Sequence, residues 1–544
     1  MTPLTLPDYA RSVQRLDKAV REQMAAHGIG GIAVALVDDQ RLVHAAGFGT
    51  AERDAIFRAG SISKVFNAVA IMQLGEQGKL DLDTPISRYG RQFSLIVPFG
   101  DAPAVTLRQL LCHRSGLTRE SPVGGYLDLS QPSLADTVAA VRNCPLISRP
   151  NSDTRYSNIG PSIAGQILTT VTGVPYHEYQ QEHVLGPVGM TSSEFLLEKI
   201  ARQRLSPAAM RIADGHGGFV RGEAPLFDLG TVPAGNLYTT AEDLAKFLSM
   251  LAAGGRAPGG RIISEQTLAE MATPQLADTG GLFGLGFRVG KFREHNWLGH
   301  TGSVYGYTAS LVFLPGPKLG VAILSNDDIV TGPIDKLMQL ALGLLVEAKL
   351  GEKMPPEPKP VHVAHQDLLP LAGEYESPCL WATIEVVRGE LAGNISGQPI
   401  TLTPVAVAPK SEAAISTFLA DGRELNSSPV EFERDAAGKV VALTAMGQRF
   451  TRVDPDAAND VPPLWLQYTG VYGPTSIPLV ISIRHGHLYA LIENELDYRL
   501  IPSSRQVFVC PPGMYREEHL VFLADAEGKV HGASVANMCL RRRG

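Results

Sequence analysis

Residues 57–66 read Phe57-Arg58-Ala59-Gly60-Ser61-Ile62-Ser63-Lys64-Val65-Phe66, which places a serine three positions before a lysine. Apolar residues follow at mostly helical spacing, so we expect Ser61 to lie at the N-terminus of a helix. Residues three apart share a helix face, which would bring the Lys64 amine within proton-transfer distance of the Ser61 hydroxyl. The helix N-terminus also favours negative charge that develops nearby. The stretch therefore predicts a nucleophilic serine, although a lone Ser-x-x-Lys pair also fits a capped surface helix.

Length and composition indicate a globular protein of several domains. The chain has 544 residues, of which 44% are hydrophobic and 19% charged, with a formal net charge of -7. It contains no basic run of the kind that binds nucleic acid, and no apolar run reaches the ~18 residues of a membrane span. No signal-like segment opens the sequence. We therefore expect no nucleic-acid partner, no membrane span, and a cytoplasmic location unless a signal has been trimmed, in which case the protein would be periplasmic or secreted.

The first 352 residues predict a single α/β domain of the α+β kind. Short β-rich runs at both ends of this region flank a mainly helical middle, which suggests an antiparallel sheet covered by helices. The segments behind this prediction are helices at 8–26 and 333–350 and strands at 32–37, 42–48, 284–289, 307–313 and 319–325. We assign residues 1–352 to this domain.

The C-terminal third changes to short alternating runs with Gly and Asp turns. A proline-rich linker is predicted at 353–365. The remainder repeats itself, because Gly373-Glu374-Tyr375 is echoed by Gly470-Val471-Tyr472. Many short strands in two similar units fit small antiparallel β-barrels, and we place these two domains at 366–458 and 459–544.

Two further features carry chemistry: Tyr156-Ser157-Asn158 on a loop edge, and His300-Thr301-Gly302-Ser303 just before the predicted strand at 307–313. A serine hydroxyl is a weak nucleophile at neutral pH and needs a group that accepts its proton and returns it to the leaving group. Lys64 held neutral or Tyr156 held as phenolate could do this, and the sequence leaves both open.

With Ser61 and Lys64, these features resemble the serine β-lactamase and penicillin-binding protein superfamily. Its motifs are Ser-x-x-Lys, Tyr-x-Asn, and Lys-Thr-Gly or His-x-Gly, in this order. The stretches at 110–117 and 233–244 also resemble the class C side of that superfamily, so the resemblance covers roughly residues 8–350. It implies a β-lactamase-like fold and a serine hydrolase that works through an acyl-enzyme, with no cofactor and no metal.

The resemblance also implies roles for the remaining motif residues. The oxyanion hole would be the backbone N–H groups of Ser61 and Ser303, next to Gly302. Asn158 would hold the substrate and Lys64. His300, which we count among the catalytic residues, stands where a lysine would meet a substrate carboxylate, and this departure weakens the β-lactamase interpretation.

Histidine at this place is similar to the D-aminopeptidases and to some esterases. The D-aminopeptidases also carry two β-barrel domains after the catalytic one, so they are the closest match. In that family a loop from the last barrel enters the active site and shapes recognition of a substrate amine. The acidic loop at 493–497 is a candidate for this role, since carboxylates pair with ammonium groups; the alternative is a solvated hairpin tip.

We therefore predict a serine hydrolase acting on amide bonds of small peptides or amino-acid amides. A carboxylesterase is the first alternative, followed by a β-lactamase and by an acyltransferase. A penicillin-binding scaffold or sensor that acylates without turnover is the alternative from outside enzymes. The expected partners are a small-molecule or peptide substrate and, for the protein itself, a second copy in a homodimer.

Overall fold

The computed structural model describes residues 8–275, 282–406, 414–454 and 460–543. Its N-terminal region is built on a six-stranded antiparallel sheet with the strand order β2-β1-β6-β5-β4-β3. The strands are β1 (Gly31–Asp38), β2 (Arg41–Gly49), β3 (Arg288–Phe292), β4 (His295–Val304), β5 (Tyr307–Leu314) and β6 (Leu319–Ser325). The two ends of this region thus meet in one sheet, because β1 pairs with β6 over the register from Ile32↔Ser325 to Asp38↔Leu319.

Helices cover both faces of this sheet. Strand β1 is buried along its whole length, and its side chains alternate between two hydrophobic cores, as expected for a strand with helices on both sides. One core includes α1 (Ala10–His27) and α5 (Thr331–Leu350). The other core includes α2 (Ser63–Glu76), α3 (Ile159–Thr172) and α4 (Ala241–Ala252).

Helix α2 is the central helix of the second core. Every residue from Ser63 to Leu74 is buried, which explains why its sequence is apolar on nearly all sides. Ser61 lies in the turn immediately before this helix, as the sequence predicts.

Short elements connect these main ones. The remaining α-helices of the region are Leu107–Leu111, Leu134–Ala140, Tyr176–Gln180, Gly186–Val188, Val232–Gly235 and Glu265–Ala272, with a π-helix at Gln181–Leu185. The 3-10 helices are Ile86–Tyr89, Arg91–Phe93, Val141–Asn143, Leu197–Lys199 and Arg202–Arg204. Three two-stranded sheets pair Phe57–Arg58 with Tyr238–Thr239, Ala209–Ala213 with Phe219–Glu223, and Arg256–Ala257 with Gly260–Arg261.

Two details of the sequence prediction were wrong. The strand expected at 284–289 begins only at Arg288, because Gly286 has a φ of +77° and packs so closely on α2 that a Cβ there would lie 2.2 Å from the Ala68 Cβ. The second is strand β4, which contains the motif that starts at His300 and is not among the predicted strands. The side chains of this motif therefore alternate across a strand.

After the N-terminal region, the chain forms a closed eight-stranded antiparallel barrel. Short helices at His365–Leu368 and Leu369–Leu371 precede it. Its strands are Gly373–Glu376, Trp381–Val387, Glu390–Ile395, Gln398–Val405, Ala414–Gly422, Ser428–Arg434, Val440–Ala445 and Gln448–Val453. Pairing of the first strand with the last closes the barrel. The predicted fold class, an antiparallel sheet with helices followed by β-barrel structure, is confirmed.

The last unit also consists of short antiparallel strands, but these form two sheets. A 3-10 helix at Pro463–Gln467 precedes them. The first sheet contains Gly470–Tyr472, Leu479–Arg484, His487–Ile492 and Leu496–Arg499; the second contains Ile501–Pro502, Val507–Val509, His519–Ala524, Val530–Val535 and Met538–Arg541. A bridge between Tyr472 and Arg542 joins the two ends. The repeated tyrosines occupy equivalent places, since Tyr375 donates to the Leu371 carbonyl and Tyr472 to the Tyr468 carbonyl, each at 2.7 Å.

The proposed domain limits at 1–352, 353–365, 366–458 and 459–544 stay predictions. The limit at 458 and the two chain ends at 1 and 544 lie outside the described residues. Within the described residues, none of the helices is both long enough and apolar enough to cross a bilayer.

Candidate active site

The turn that carries Ser61 packs closely against strand β4. Gly60 has a φ of +52°, and a Cβ on it would lie 2.8 Å from the Ser303 nitrogen. A Cβ on Gly302 would lie 1.9 Å from the Ala59 carbonyl oxygen and 3.2 Å from the Ser61 nitrogen. Only glycine permits this approach, which sets the backbone amides of Ser61 and Ser303 side by side.

Lys64 lies one helical turn after Ser61, in the first turn of α2. Its Nζ donates to Ser61 Oγ at 2.9 Å, to Asn158 Oδ1 at 2.7 Å and to the Ala234 carbonyl at 2.9 Å. The side chain is buried, and this burial lowers the pKa of Lys64, although the neighbouring Tyr156 and Glu120 oppose the shift. A lowered pKa increases the fraction of Lys64 that is present as the neutral amine, which can accept a proton.

Tyr156 approaches Ser61 from the other side. Its hydroxyl lies 2.8 Å from Ser61 Oγ, so the serine oxygen is held between an amine and a phenol. The Tyr156 ring packs against His113 at a tilt of 30° with centroids 4.3 Å apart, and the Arg119 guanidinium lies 5.5 Å from the centre of the Tyr156 ring. His113 is buried and accepts from the Ser157 backbone N–H at 3.2 Å.

Asn158 connects Lys64 to a buried carboxylate. Its Oδ1 accepts from Lys64, and its Nδ2 donates to Glu120 Oε1. Burial raises the pKa of Glu120 to about 7, and the nearby Glu493 adds to this, while Arg119, Asn158 and Lys64 oppose it.

His300 presents a lone pair rather than a charge. Its Nδ1 lies 2.5 Å from the Thr301 carbonyl oxygen, which can only accept, so Nδ1 carries the proton and Nε2 is bare. Burial lowers the pKa of His300 to about 3, with the positive charges of Lys64 and Arg288 adding to the effect. The third motif is therefore neutral where a lysine would be charged.

Arg288 is a positive group beside this motif. It lies on β3 opposite Gly299, and its guanidinium is 3.4 Å from Thr301 Oγ1. Thr301 and Ser303 point outward from β4 into a cleft of about 640 Å³. Of the seven predicted site residues, Lys64 lies beneath this cleft and the other six line it: Ser61, Tyr156, Asn158, His300, Gly302 and Ser303.

The last β unit also lines the cleft, with Glu493, Glu495, Met514, Arg516 and Glu518. The acidic loop at 493–497 is therefore not a solvated hairpin tip. Only its first and third residues face the cleft, because Asn494 is buried and accepts from the Ala213 N–H, and Asp497 accepts from the Trp381 indole.

Arg119, Glu120, Arg288 and Glu518 are the site residues that sequence reasoning missed. The first two lie two and three residues after the stretch 110–117, which resembles the class C side of the superfamily, so their position was a usable signal. Arg288 and Glu518 belong to no sequence motif, and only the fold brings them to the cleft.

Comparisons with known sequences and structures find proteins that are similar to this chain. A family model described as Beta-lactamase matches residues 16–341. Penicillin-binding protein 4 of Amycolatopsis lactamdurans is 29% identical over 392 residues, which cover 68% of this chain and 98% of the relative. Esterase EstB of Burkholderia gladioli is 26% identical over 308 residues, which cover 50% of this chain and 77% of the relative. The solved structure of the octameric penicillin-binding protein homologue from Pyrococcus abyssi has a TM-score of 0.56 and 26% identity, and the match covers 81% of this chain and 100% of that one.

Proposed function

Because the chain belongs to the β-lactamase family and is a serine hydrolase of that family, we propose that it cleaves amide bonds next to a free amine, as an aminopeptidase or amidase of the D-aminopeptidase type. The observation that carries this proposal is the Glu493 carboxylate in the cleft of Ser61, next to the buried Glu120. An ammonium group is the substrate feature that such carboxylates bind best.

In the proposed reaction, Ser61 Oγ attacks the amide carbonyl while Lys64 or Tyr156 accepts its proton. The N–H groups of Ser61 and Ser303 stabilise the negative oxygen of the tetrahedral intermediate. The accepted proton then passes to the leaving amine, and the acyl-enzyme forms as the C–N bond breaks. Water, activated by the same groups, attacks the ester and releases the acid. A positioned acid–base pair of this kind typically contributes about 10²–10⁴ in rate.

Glu493 is placed to meet an amine. Its Oε1 accepts from the Tyr515 hydroxyl and lies 3.6 Å from the Arg119 Nε. These two groups hold the carboxylate in one orientation, so binding an ammonium group there would cost little side-chain entropy.

The neutral third motif favours such substrates over β-lactams. His300 offers a lone pair and no charge to a substrate carboxylate, so Arg288 is the remaining positive group beside Thr301. A small peptide with a free amine and a free carboxylate would find opposite charges for both ends. This supports peptides alongside amino-acid amides as substrates.

The test compares D-alanine p-nitroanilide with its N-acetylated form, which lacks the positive charge. We expect wild type to prefer the free amine by at least about tenfold in kcat/KM, the factor that 1.4 kcal/mol provides. Glu493→Gln should reduce this preference, whereas Glu527→Gln, which removes an equal charge from an exposed residue, should not. Equal rates for both anilides in wild type would contradict amine recognition.

A carboxylesterase is the second candidate, because the similarity to EstB and the uncharged His300 both favour neutral substrates. Turnover of a short-chain nitrophenyl ester without turnover of either anilide would establish it. A stoichiometric burst with penicillin or ester and no steady state would instead support a penicillin-binding scaffold or sensor.

Self-association and location stay proposals. The octameric assembly named for the Pyrococcus relative supports self-association of this chain, and the expected homodimer is its simplest form. Light scattering during gel filtration measures the assembly directly. The cytoplasmic location is an expectation from sequence alone.

A further inference from the structure

Glu518 is a buried carboxylate that the last β unit inserts into the N-terminal region. It is 2% exposed and lies just before the strand His519–Ala524. Its Oε1 accepts from the Arg119 backbone N–H at 2.7 Å, and its Oε2 accepts from the Thr118 hydroxyl at 3.0 Å. A buried carboxylate is costly unless donors satisfy it, so these two contacts fix where Thr118 and Arg119 lie.

The segment that Glu518 holds is bonded in turn to the second motif. The Ser157 hydroxyl donates to the Thr118 carbonyl at 2.8 Å, and the Asn158 N–H donates to the Arg119 carbonyl at 2.8 Å. The Glu120 side chain accepts from the Asn158 amide. Three hydrogen bonds therefore tie residues 118–120 to residues 156–158.

The same segment places a positive charge next to the reacting groups. The Arg119 guanidinium lies between two aromatic rings, 5.5 Å from the centre of Tyr156 and 5.1 Å from that of Tyr515. It is 3.6 Å from a Glu493 oxygen and 3.7 Å from a Glu120 oxygen. Its position thus depends on two units of the fold at once.

We propose that Glu518 is a positioning residue of the active site, which acts through residues 118–120 to hold Arg119 against Tyr156 and Glu120 against Asn158. The last β unit then positions residues of the catalytic site in addition to lining the cleft. This inference rests on the proposed roles of Tyr156 and Asn158, but it does not depend on whether the substrate is an amide or an ester.

The test measures the acylation rate, kcat and KM on whichever substrate wild type turns over in a Ser61-dependent way. Glu518→Ala removes both acceptors, and we expect kcat and the acylation rate to fall about 10–100-fold while KM changes less than threefold. Glu518→Gln keeps an oxygen that can accept from the Arg119 N–H, so it should recover most of the rate. This conservative rescue separates positioning from simple loss of packing.

Glu517→Ala is the matched control. It breaks the ion pair between Glu517 and Arg155, which joins the same two units, and leaves the contacts of Thr118 and Arg119 intact. We expect its kcat to stay within about threefold of wild type. Equal losses in Glu517→Ala and Glu518→Ala would overturn the proposal, because they would show that only docking of the units matters.

A second variant covers the case in which Glu518→Ala does not fold. Thr118→Val removes one donor from the other side of the contact, and we expect a three- to tenfold loss of kcat with unchanged KM. Wild-type kcat in Thr118→Val would contradict positioning by Glu518, and so would a loss of kcat in Glu518→Gln as large as the loss expected for Glu518→Ala. Absence of any Ser61-dependent turnover in wild type would count against the proposed function instead.

Discussion

Ser61 Oγ lies 2.9 Å from the Lys64 amine and 2.8 Å from the Tyr156 hydroxyl, so two chemically different groups compete for its proton. Lys64 also donates to Asn158 and to the Ala234 carbonyl, which uses all three hydrogens of an ammonium group. Accepting a proton from Ser61 therefore requires that Lys64 first lose one. Burial, which lowers the pKa of Lys64, favours that step.

His300 gives a prediction at the same scale. Because its pKa is lowered to about 3, it stays neutral, with a single proton on Nδ1, at pH 5–8, where a free histidine would titrate. We expect His300→Gln to leave the shape of the kcat/KM profile between pH 5 and 8 unchanged, whatever its effect on the rate. Loss of a limb near pH 6 in the variant would show instead that His300 titrates during catalysis.

At the scale of elements, the site depends on how closely β4 approaches the turn before α2. A Cβ on Gly302 would lie 1.9 Å from the Ala59 oxygen, so the strand would have to move away from Ser61. We expect Gly302→Ala to lower kcat by about 10²–10³, the usual cost of losing an oxyanion donor.

Gly316→Ala is the control for this prediction, since a Cβ on Gly316, in the turn between β5 and β6, would meet nothing within 4 Å. It should retain wild-type kcat and a wild-type melting temperature. A Gly302→Ala variant with wild-type kcat would show that the approach of β4 to the turn does not shape the oxyanion site.

The sequence predicted those parts of the site that local spacing determines. Ser61 and Lys64 are one helical turn apart, and this pattern needs no knowledge of the fold. The sheet, its covering helices and the repeated β units also followed from periodicity. The strand start at Arg288 did not, because a tertiary contact of Gly286 with Ala68 decides it.

Contacts between distant parts of the chain were beyond sequence reasoning. Glu518 meets Thr118 across 400 positions, and no periodic pattern or spacing marks such a pair. The charge of Glu493 could single it out in the sequence. The same sequence, however, fits both a solvated hairpin tip and a residue that lines a cleft. Only packing of the last β unit against the N-terminal region separates them.

At the scale of the whole molecule, acidic side chains meet where the three units join. The Glu424 carboxyl of the first barrel accepts hydrogen bonds from Thr331 at the start of α5. Glu495 of the last unit lies close enough for the charge of Glu424 to shift its pKa. Burial raises the pKa of both carboxyls, and their mutual repulsion adds to the shift of Glu495. Glu493 acts in the same direction on Glu495, while Arg119 opposes it.

These shifts predict that the assembly loses stability as pH rises. A carboxyl whose folded pKa exceeds the ordinary value of 4.5 favours the folded state when protonated, and this contribution is lost as pH climbs through the folded pKa. A free histidine, with a pKa of about 6.5, is mostly neutral above about pH 7.5, so the carboxyls dominate above that pH. We expect the melting temperature to fall by roughly 1–2 °C between pH 6.5 and 8.5, as ~1–2 kcal/mol would produce in a chain of 544 residues.

Glu495→Gln should flatten this decline, because the amide has no proton to lose. Glu527→Gln, on an exposed residue, should keep the wild-type slope. A rise in melting temperature over the same pH range in wild type would contradict the assignment.

The most direct test of the account is to find the acyl group itself. A rapid acid quench during turnover, followed by proteolysis and mass spectrometry, locates any covalent acyl adduct. We predict an adduct on the peptide that contains Ser61, and its disappearance in Ser61→Ala together with at least a ~10³-fold loss of kcat/KM. Turnover that survives in Ser61→Ala, or an adduct on another residue, would contradict the assignment of Ser61 as the nucleophile.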